Sequence, residues 1–169
     1  MRSSFPARGT RRLDTAADTR AFGEDLGRAL QAGDVVILDG PLGAGKTTLT
    51  QGIAAGLGVR GRVTSPTFVI AREHRSTVGG PTLVHVDAYR LLGEGSSGDP
   101  LGELDALDLD TELLDAVVVA EWGGGLVEQI TEEYLFIHLD RETAVREDPD
   151  SEARIFTWEL RSPGLPDQV

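Results

Sequence analysis

The sequence predicts an α/β fold: three layers, a mainly parallel central sheet between helices, and an antiparallel edge at the C-terminus. Three observations carry this. Short apolar runs recur at Val35–Leu38, Leu83–Val86, Ala116–Ala120 and Leu135–Leu139, each of strand length. Segments of helical periodicity lie before and after the first of these runs, with Phe22, Leu26, Ala29 and Leu30 on one face, then Leu49, Ile53, Ala54 and Leu57. Arg154–Leu160 instead alternates, placing Phe156, Trp158 and Leu160 on one side, as a two-faced strand near a sheet edge does. Strands that alternate with helices favour parallel order, and open parallel sheets bind ligands at the carboxyl ends of their strands.

Taken in order, residues 1–12 contain Arg, Ser and Pro without an apolar pattern and are expected to be a disordered N-terminal segment. A single domain is expected over 13–162, followed by a short tail, 163–169. Asp14 or Thr15 can cap a helix reaching about Ala32, and Gly33-Asp34 ends it. The strand from Val35 follows, then a glycine-rich loop and a second helix, whose end Gly56 and Gly58 bracket. Val63–Ile70 reads as a loop entering a strand, with Pro66 holding Ser65 extended. After the strand Leu83–Asp87, residues 93–102 form an exposed Gly/Ser loop, followed by a short acidic helix over 104–114. Ala116–Ala120 is apolar throughout, as a strand buried on both faces requires. A short helix over 125–130 leads to Leu135–Leu139, and Asp140–Glu152 reads as charged loop.

The loop between the first inner strand and its helix is the chemically specific stretch. Gly40-Pro41-Leu42-Gly43-Ala44-Gly45-Lys46-Thr47 fits G-x-x-x-x-G-K-[ST], the phosphate-binding P-loop, in the strand–loop–helix setting that this motif needs. Glycines let successive N–H groups curl round a phosphate, and the helix presents its positive end to the same anion. Lys46 would neutralise phosphate oxygens, and Thr47 would hold Mg²⁺ through its hydroxyl. Lys46 is the only lysine in the chain, where a compact ammonium fits under a phosphate better than a planar guanidinium. The expected architecture is therefore P-loop NTPase-like.

Such a site needs a carboxylate on the metal side, at the end of an apolar strand. Glu121 is the first candidate for Mg²⁺. Asp87 is the second, for the metal or for orienting attacking water. The N-K-x-D signature of guanine recognition is missing, since the chain has no asparagine and no second lysine, so ATP is the expected nucleotide. Trp122 has two roles open to it, covering the nucleotide or packing in the core, and Ser65 and Thr67 could form a switch loop or a simple turn. His85 and His138 lie in apolar strands and read as core histidines, and His74 as a surface one. Tyr89-Arg90 could brace Asp87 or face a partner.

The chain has 169 residues, 40% of them hydrophobic, enough for one buried core, and a formal charge of −12, which disfavours direct grip on nucleic acid. Acids are dense from Glu94 to Asp115, and no Lys or Arg lies between Arg90 and Arg141, so this stretch is a solvated loop or an acidic docking surface. The absence of cysteine excludes disulfides and thiol catalysis. No apolar run is long enough to span a bilayer, so no membrane association is expected and a cytoplasmic setting is.

Gly43–Thr48, Thr64-Ser65-Pro66-Thr67-Phe68, His85-Val86-Asp87-Ala88-Tyr89-Arg90-Leu91 and Glu121-Trp122 closely resemble, in order and spacing, the TsaE (YjeE-type) ATPases of bacteria, over about residues 13–140. The resemblance implies a small ATPase in biosynthesis of the threonylcarbamoyl modification on the tRNA adenosine next to the anticodon. It implies partnership with TsaD and TsaB, which perform the transfer, so that tRNA is met only indirectly through the complex. By the same resemblance the nucleotide is ATP with Mg²⁺, bound by Gly40, Leu42, Gly43, Ala44, Gly45, Lys46, Thr47 and Thr48, with Thr15, Ala16 and Trp122 near it. Thr47 and Glu121 serve Mg²⁺ and Asp87 assists hydrolysis, with Lys46, Asp87 and Glu121 as the catalytic set. Pro41, where an acid is usual, the acidic insertion after Leu92, and the glycines after Trp122 depart from the family pattern. A small-molecule kinase uses the same loop with an arginine-rich lid; Arg141, Arg146 and Arg154 are its candidate arginines, scattered in sequence.

Overall fold

The computed structural model describes residues 1–41, 43–60, 63, 71–87, 115–121 and 133–161, with Asp87 described by its backbone. Along the chain these form β1 (Arg8–Leu13), α1 (Ala16–Ala29), β2 (Val35–Asp39), α2 (Lys46–Leu57), β3 (Ala71–His74), β4 (Thr82–Asp87), β5 (Ala116–Glu121), β6 (Tyr134–Asp140), α3 (Glu142–Glu147) and β7 (Arg154–Arg161). The seven strands make one sheet in the order β1-β7-β6-β2-β5-β4-β3. β6, β2, β5 and β4 run parallel, and β1, β7 and β3 pair antiparallel at the flanks. This is the mixed α/β architecture expected from the alternation of apolar runs and helices.

β2 and β5 are central because they carry the most apolar sequences, and every residue of Ala116–Ala120 is inaccessible to solvent. Their parallel register sets Leu38 beside Glu121, and Asp87 beside Glu121 on the other side. Strand tips carrying function therefore converge at one end of the sheet, about 5 Å apart from strand to strand.

α1 and α2 pack on one face of the sheet, and glycines set how closely they approach each other. A Cβ on Gly23 would lie 2.6 Å from the Leu49 carbonyl oxygen, and one on Gly27, Gly52 or Gly56 would strike the Ile53, Arg20 or Glu24 carbonyl. The two pairs, each spaced four apart, mesh backbone against backbone and draw the P-loop helix tightly against α1. Gly56 thus belongs inside α2, where it makes contact, and does not bracket the helix end as expected. Gly58, left-handed at φ 72°, terminates α2 by donating to the Ala54 and Ala55 carbonyls.

Three further expectations are corrected. The N-terminal segment is not frayed: Arg8–Leu13 is β1, laid against β7 so that the C-terminal strand has a neighbour on both sides. Phe5 is buried there, its ring 5.6 Å from that of Phe22 and 5.7 Å from that of Trp158. A few apolar anchors outweigh the polar composition that suggested disorder. α1 stops at Ala29 rather than near Ala32, because the Leu30 backbone turns extended. Finally, Asp140–Glu152 contains α3. The Asp140 carboxylate accepts from the Thr143 N–H (3.2 Å) and hydroxyl (2.6 Å), which starts the helix and holds that carboxyl below its ordinary pKa. The expected Val63–Ile70 strand entry, the acidic helix, the 125–130 helix and the C-terminal tail lie outside the described residues, apart from the buried Val63.

Candidate functional site

Two helix beginnings on the same face of the molecule are treated differently. α1 is capped: Thr15 accepts from the Asp18 N–H at 3.2 Å, and Asp18 adds negative charge to the first turn. α2 has neither a side-chain cap nor an acid in its first turn. Its first helical hydrogen bond runs from the Leu49 N–H to the Gly45 carbonyl (2.8 Å), so the N–H groups of Lys46, Thr47 and Thr48 open toward the loop. A helix start left bare in this way favours an anion.

The loop that leads into it can be built only with glycine at key positions. Gly43 and Gly45 have φ of 81° and 104°, values that a side chain disfavours. At Gly40, where the loop leaves β2, a Cβ would stand 2.9 Å from the Leu139 carbonyl oxygen. The Ala44 N–H donates to the Pro41 carbonyl (3.1 Å) and tightens the turn, while Ala44 itself is fully buried. Thr19 and Phe156 lie 3.9 Å from where a Gly45 Cβ would be. The first turn of α1 thus borders this loop through Thr19; Thr15 caps that turn and Ala16 begins it. Leu42 lies outside the described residues.

On the β5 side of the loop, Glu121 ends its strand mostly buried, its side chain 13% exposed. His85, fully buried on β4, places Nε2 3.3 Å from Glu121 Oε1. The carboxylate can only accept, so Nε2 carries the proton and the ring fixes one oxygen of Glu121. Among the described residues, His85 Nδ1 is buried without a hydrogen-bond partner. The core reading of His85 is therefore only half of its role, and its contact with Glu121 went unforeseen. The signal lay in period-two spacing: His85 and Asp87 share a face of β4, and Asp87 is in register with Glu121. Asp87 is described by backbone alone, and Trp122, Ser65, Thr67, Tyr89 and Arg90 lie outside the described residues.

On the other side of the loop, at the end of β6, the charges are reversed. Arg141 Nη1 is 2.9 Å from where a Gly43 Cβ would be, and Arg154 Nη2 donates to the Gly43 carbonyl at 3.4 Å. Two arginines that the sequence scatters thus meet on one P-loop glycine. Arg146 does not join them, since it pairs with Glu142 on the surface of α3. Pro41, Arg141, Glu142 and Val145 line an open cleft of about 260 Å³ beside the loop. The other two histidines exchange their expected places. His74 is buried and donates from Nδ1–H to the Arg60 carbonyl (3.2 Å), and burial lowers its pKa. His138 is half exposed and meets Asp39 at 2.9 Å.

The residues fit a nucleoside phosphate with Mg²⁺. A glycine cradle and bare helix N–H groups suit the phosphates, Lys46 adds a cation, and Thr47 and Glu121 offer oxygens from adjoining elements. Among the described residues no cluster of three or more His, Asp or Glu could hold a metal by itself. Mg²⁺ at nucleotides is held by one or two protein oxygens together with phosphates and water.

Residues 13–148 match the family model described as threonylcarbamoyl adenosine biosynthesis protein TsaE. The chain belongs to the TsaE family. A TsaE described as a tRNA threonylcarbamoyladenosine biosynthesis protein, from Mycobacterium tuberculosis, is 51% identical over 158 residues, 93% of this chain and 90% of that one. Its counterpart from Streptomyces coelicolor is 58% identical over 122 residues, 72% of this chain and 78% of the relative. Among solved structures, Bacillus subtilis YdiB superposes with a TM-score of 0.65 at 29% identity, covering 92% of this chain and 86% of that one. Membership of the TsaE family places this chain in tRNA threonylcarbamoyladenosine biosynthesis. Among the described residues, no helix is long and apolar enough to cross a membrane.

Proposed function

We propose that this TsaE chain is an Mg²⁺-dependent P-loop ATPase that supports a TsaD–TsaB complex in threonylcarbamoylation of tRNA, meeting tRNA only through that complex. The observation that carries the reading is the uncapped start of α2 behind a left-handed glycine loop, with Glu121 at the tip of the adjacent strand. Bound Mg²⁺ would supply charge neutralisation on the terminal phosphates. The protein's residues do the rest. Lys46 and the N–H groups of Lys46–Thr48 bind phosphate, the Thr47 hydroxyl and the Glu121 carboxylate are the metal-side oxygens, and His85 keeps Glu121 in one orientation. Asp87, one strand further out, is assigned to orienting the attacking water. Because hydrolysis would need partner docking to be fast, the chain is expected to be a weak ATPase alone.

The test is ATP hydrolysis by the purified chain with and without TsaD and TsaB, alongside Lys46→Ala and Glu121→Gln. Hydrolysis stimulated by the two partners and lost in both variants is the expected result. Transfer of labelled phosphate from ATP to a metabolite, with no gain from TsaD and TsaB, would overturn the reading in favour of a small-molecule kinase.

A further inference from the structure

Arg8, Arg12, Arg28, Arg146 and Arg161 each lie within 3.6 Å of a carboxylate. Arg141 and Arg154 differ from these five in lying at the P-loop. Among the described residues neither has a carboxylate at ion-pair distance, although both lie against the same glycine. Arg154 is held in place by carbonyls alone, through Nη1 to Ser151 (3.3 Å) and Ala153 (2.8 Å) and Nη2 to Gly43 (3.4 Å). Burial lowers its pKa, the adjacent Arg141 lowers it further, and the charge of Glu152 works the other way. Two cations without an ion-pair partner among the described residues, meeting at one P-loop glycine, form an arrangement that an anion would relieve.

Strand order determines which part of a ligand they would meet. β2, which carries the loop, lies between β5 and β6. Glu121 ends β5, so the metal-bearing phosphates belong on that side. Arg141 follows the last residue of β6, on the opposite side, and the cleft of about 260 Å³ formed with Pro41 and Val145 opens there. Its size, near the lower end of small-ligand pockets at ~300 Å³, suits part of a nucleotide rather than all of one.

We propose that Arg141 and Arg154 form a second cationic wall of the nucleotide site, which binds the α-phosphate and flanks the nucleoside on the side of the P-loop opposite Glu121. This rests on the P-loop reading given above. It adds a means of discrimination: a planar guanidinium can fork onto the α-phosphate oxygens while lying along the sugar and base, so the wall would favour a nucleotide over inorganic polyphosphate.

The experiment is calorimetric binding of ADP and of inorganic tripolyphosphate, each with Mg²⁺, to the full chain and to Arg141→Ala, Arg141→Lys and Arg154→Ala. Arg141→Ala is expected to weaken ADP about tenfold while tripolyphosphate stays within about twofold, with Arg141→Lys in between. Arg154→Ala also removes bonds to the Ser151 and Ala153 carbonyls, so Arg141, whose near neighbour is Gly43, carries the decision. Unchanged ADP affinity in Arg141→Ala would overturn the proposal, and so would equal losses for the two ligands. Failure of the unaltered chain to bind either ligand would instead overturn the P-loop reading, and the wall with it.

Discussion

The two flanks of the P-loop differ in charge, burial and the way their side chains are held. On the β5 flank an acid, Glu121, is nearly buried and fixed by a wholly buried histidine. On the β6 flank two arginines meet the loop, one held by main-chain carbonyls and the other exposed. A buried carboxylate fixed at one oxygen suits a metal, whose ligands have to be placed to within fractions of an ångström. Arginines at an open cleft suit a ligand that enters and leaves. Under the proposed function the contrast corresponds to a division of labour, with chemistry on one side and ligand retention on the other.

The largest perturbation should leave that division intact and weaken both sides at once. Gly52→Ala puts a Cβ into the Arg20 carbonyl at the α1–α2 seam, which positions the loop for both flanks. It should cost about 3 kcal/mol and lower Tm by roughly 6–12 °C in a thermal melt. A melt within a degree of the unaltered chain would mean that the seam is loose.

Glu121→Gln sharpens the comparison from the β5 side. Hydrolysis should fall about a hundredfold with nucleotide affinity within about threefold, read from turnover and calorimetry together. Arg141→Ala is its mirror image: KM for ATP should rise about tenfold while kcat changes by no more than about threefold. If both variants lost kcat and affinity in the same proportion, the flanks would not be functionally distinct.

The histidines provide the smaller effects. His74 is buried on β3, beyond β4 on the Glu121 side, and its folded-state pKa lies below the ordinary 6.5, through desolvation first. The bond to the Arg60 carbonyl works the other way, and the charges of His85 and Arg72 add to the lowering. Between the folded and unfolded pKa values the unfolded chain binds the extra proton, so stability rises with pH there. That contribution is complete above about 6.5 and is lost as the pH falls below it toward the folded-state value. Chemical denaturation between pH 5 and 8 should therefore show a decline on acidification that His74→Gln flattens. His138 on the other flank is half exposed, and its pair with Asp39 is open to solvent. His138→Gln should change stability by no more than about 0.5 kcal/mol at pH 7. A larger loss there than at His74 would reverse the burial contrast.

Much of this was legible in the order of residues. The P-loop, the strand ends at Asp87 and Glu121, the Thr15 cap and the apolar centre of the sheet are local patterns, since backbone geometry and burial act within a few neighbouring residues. The seam of Gly23 and Gly27 against Gly52 and Gly56 was not read from the sequence, where helix-end punctuation accounted for Gly56.

Other features were decided by the tertiary structure alone. Placement of β1 outside β7, burial of His74 rather than His138, the grip of His85 on Glu121 and the meeting of Arg141 with Arg154 at Gly43 depend on strand order. The physical reason is range. Helix caps and tight turns join residues close in the chain, whereas Gly43 and Arg154 are 111 residues apart and become neighbours only after the sheet has brought β7 and β6 alongside the P-loop strand.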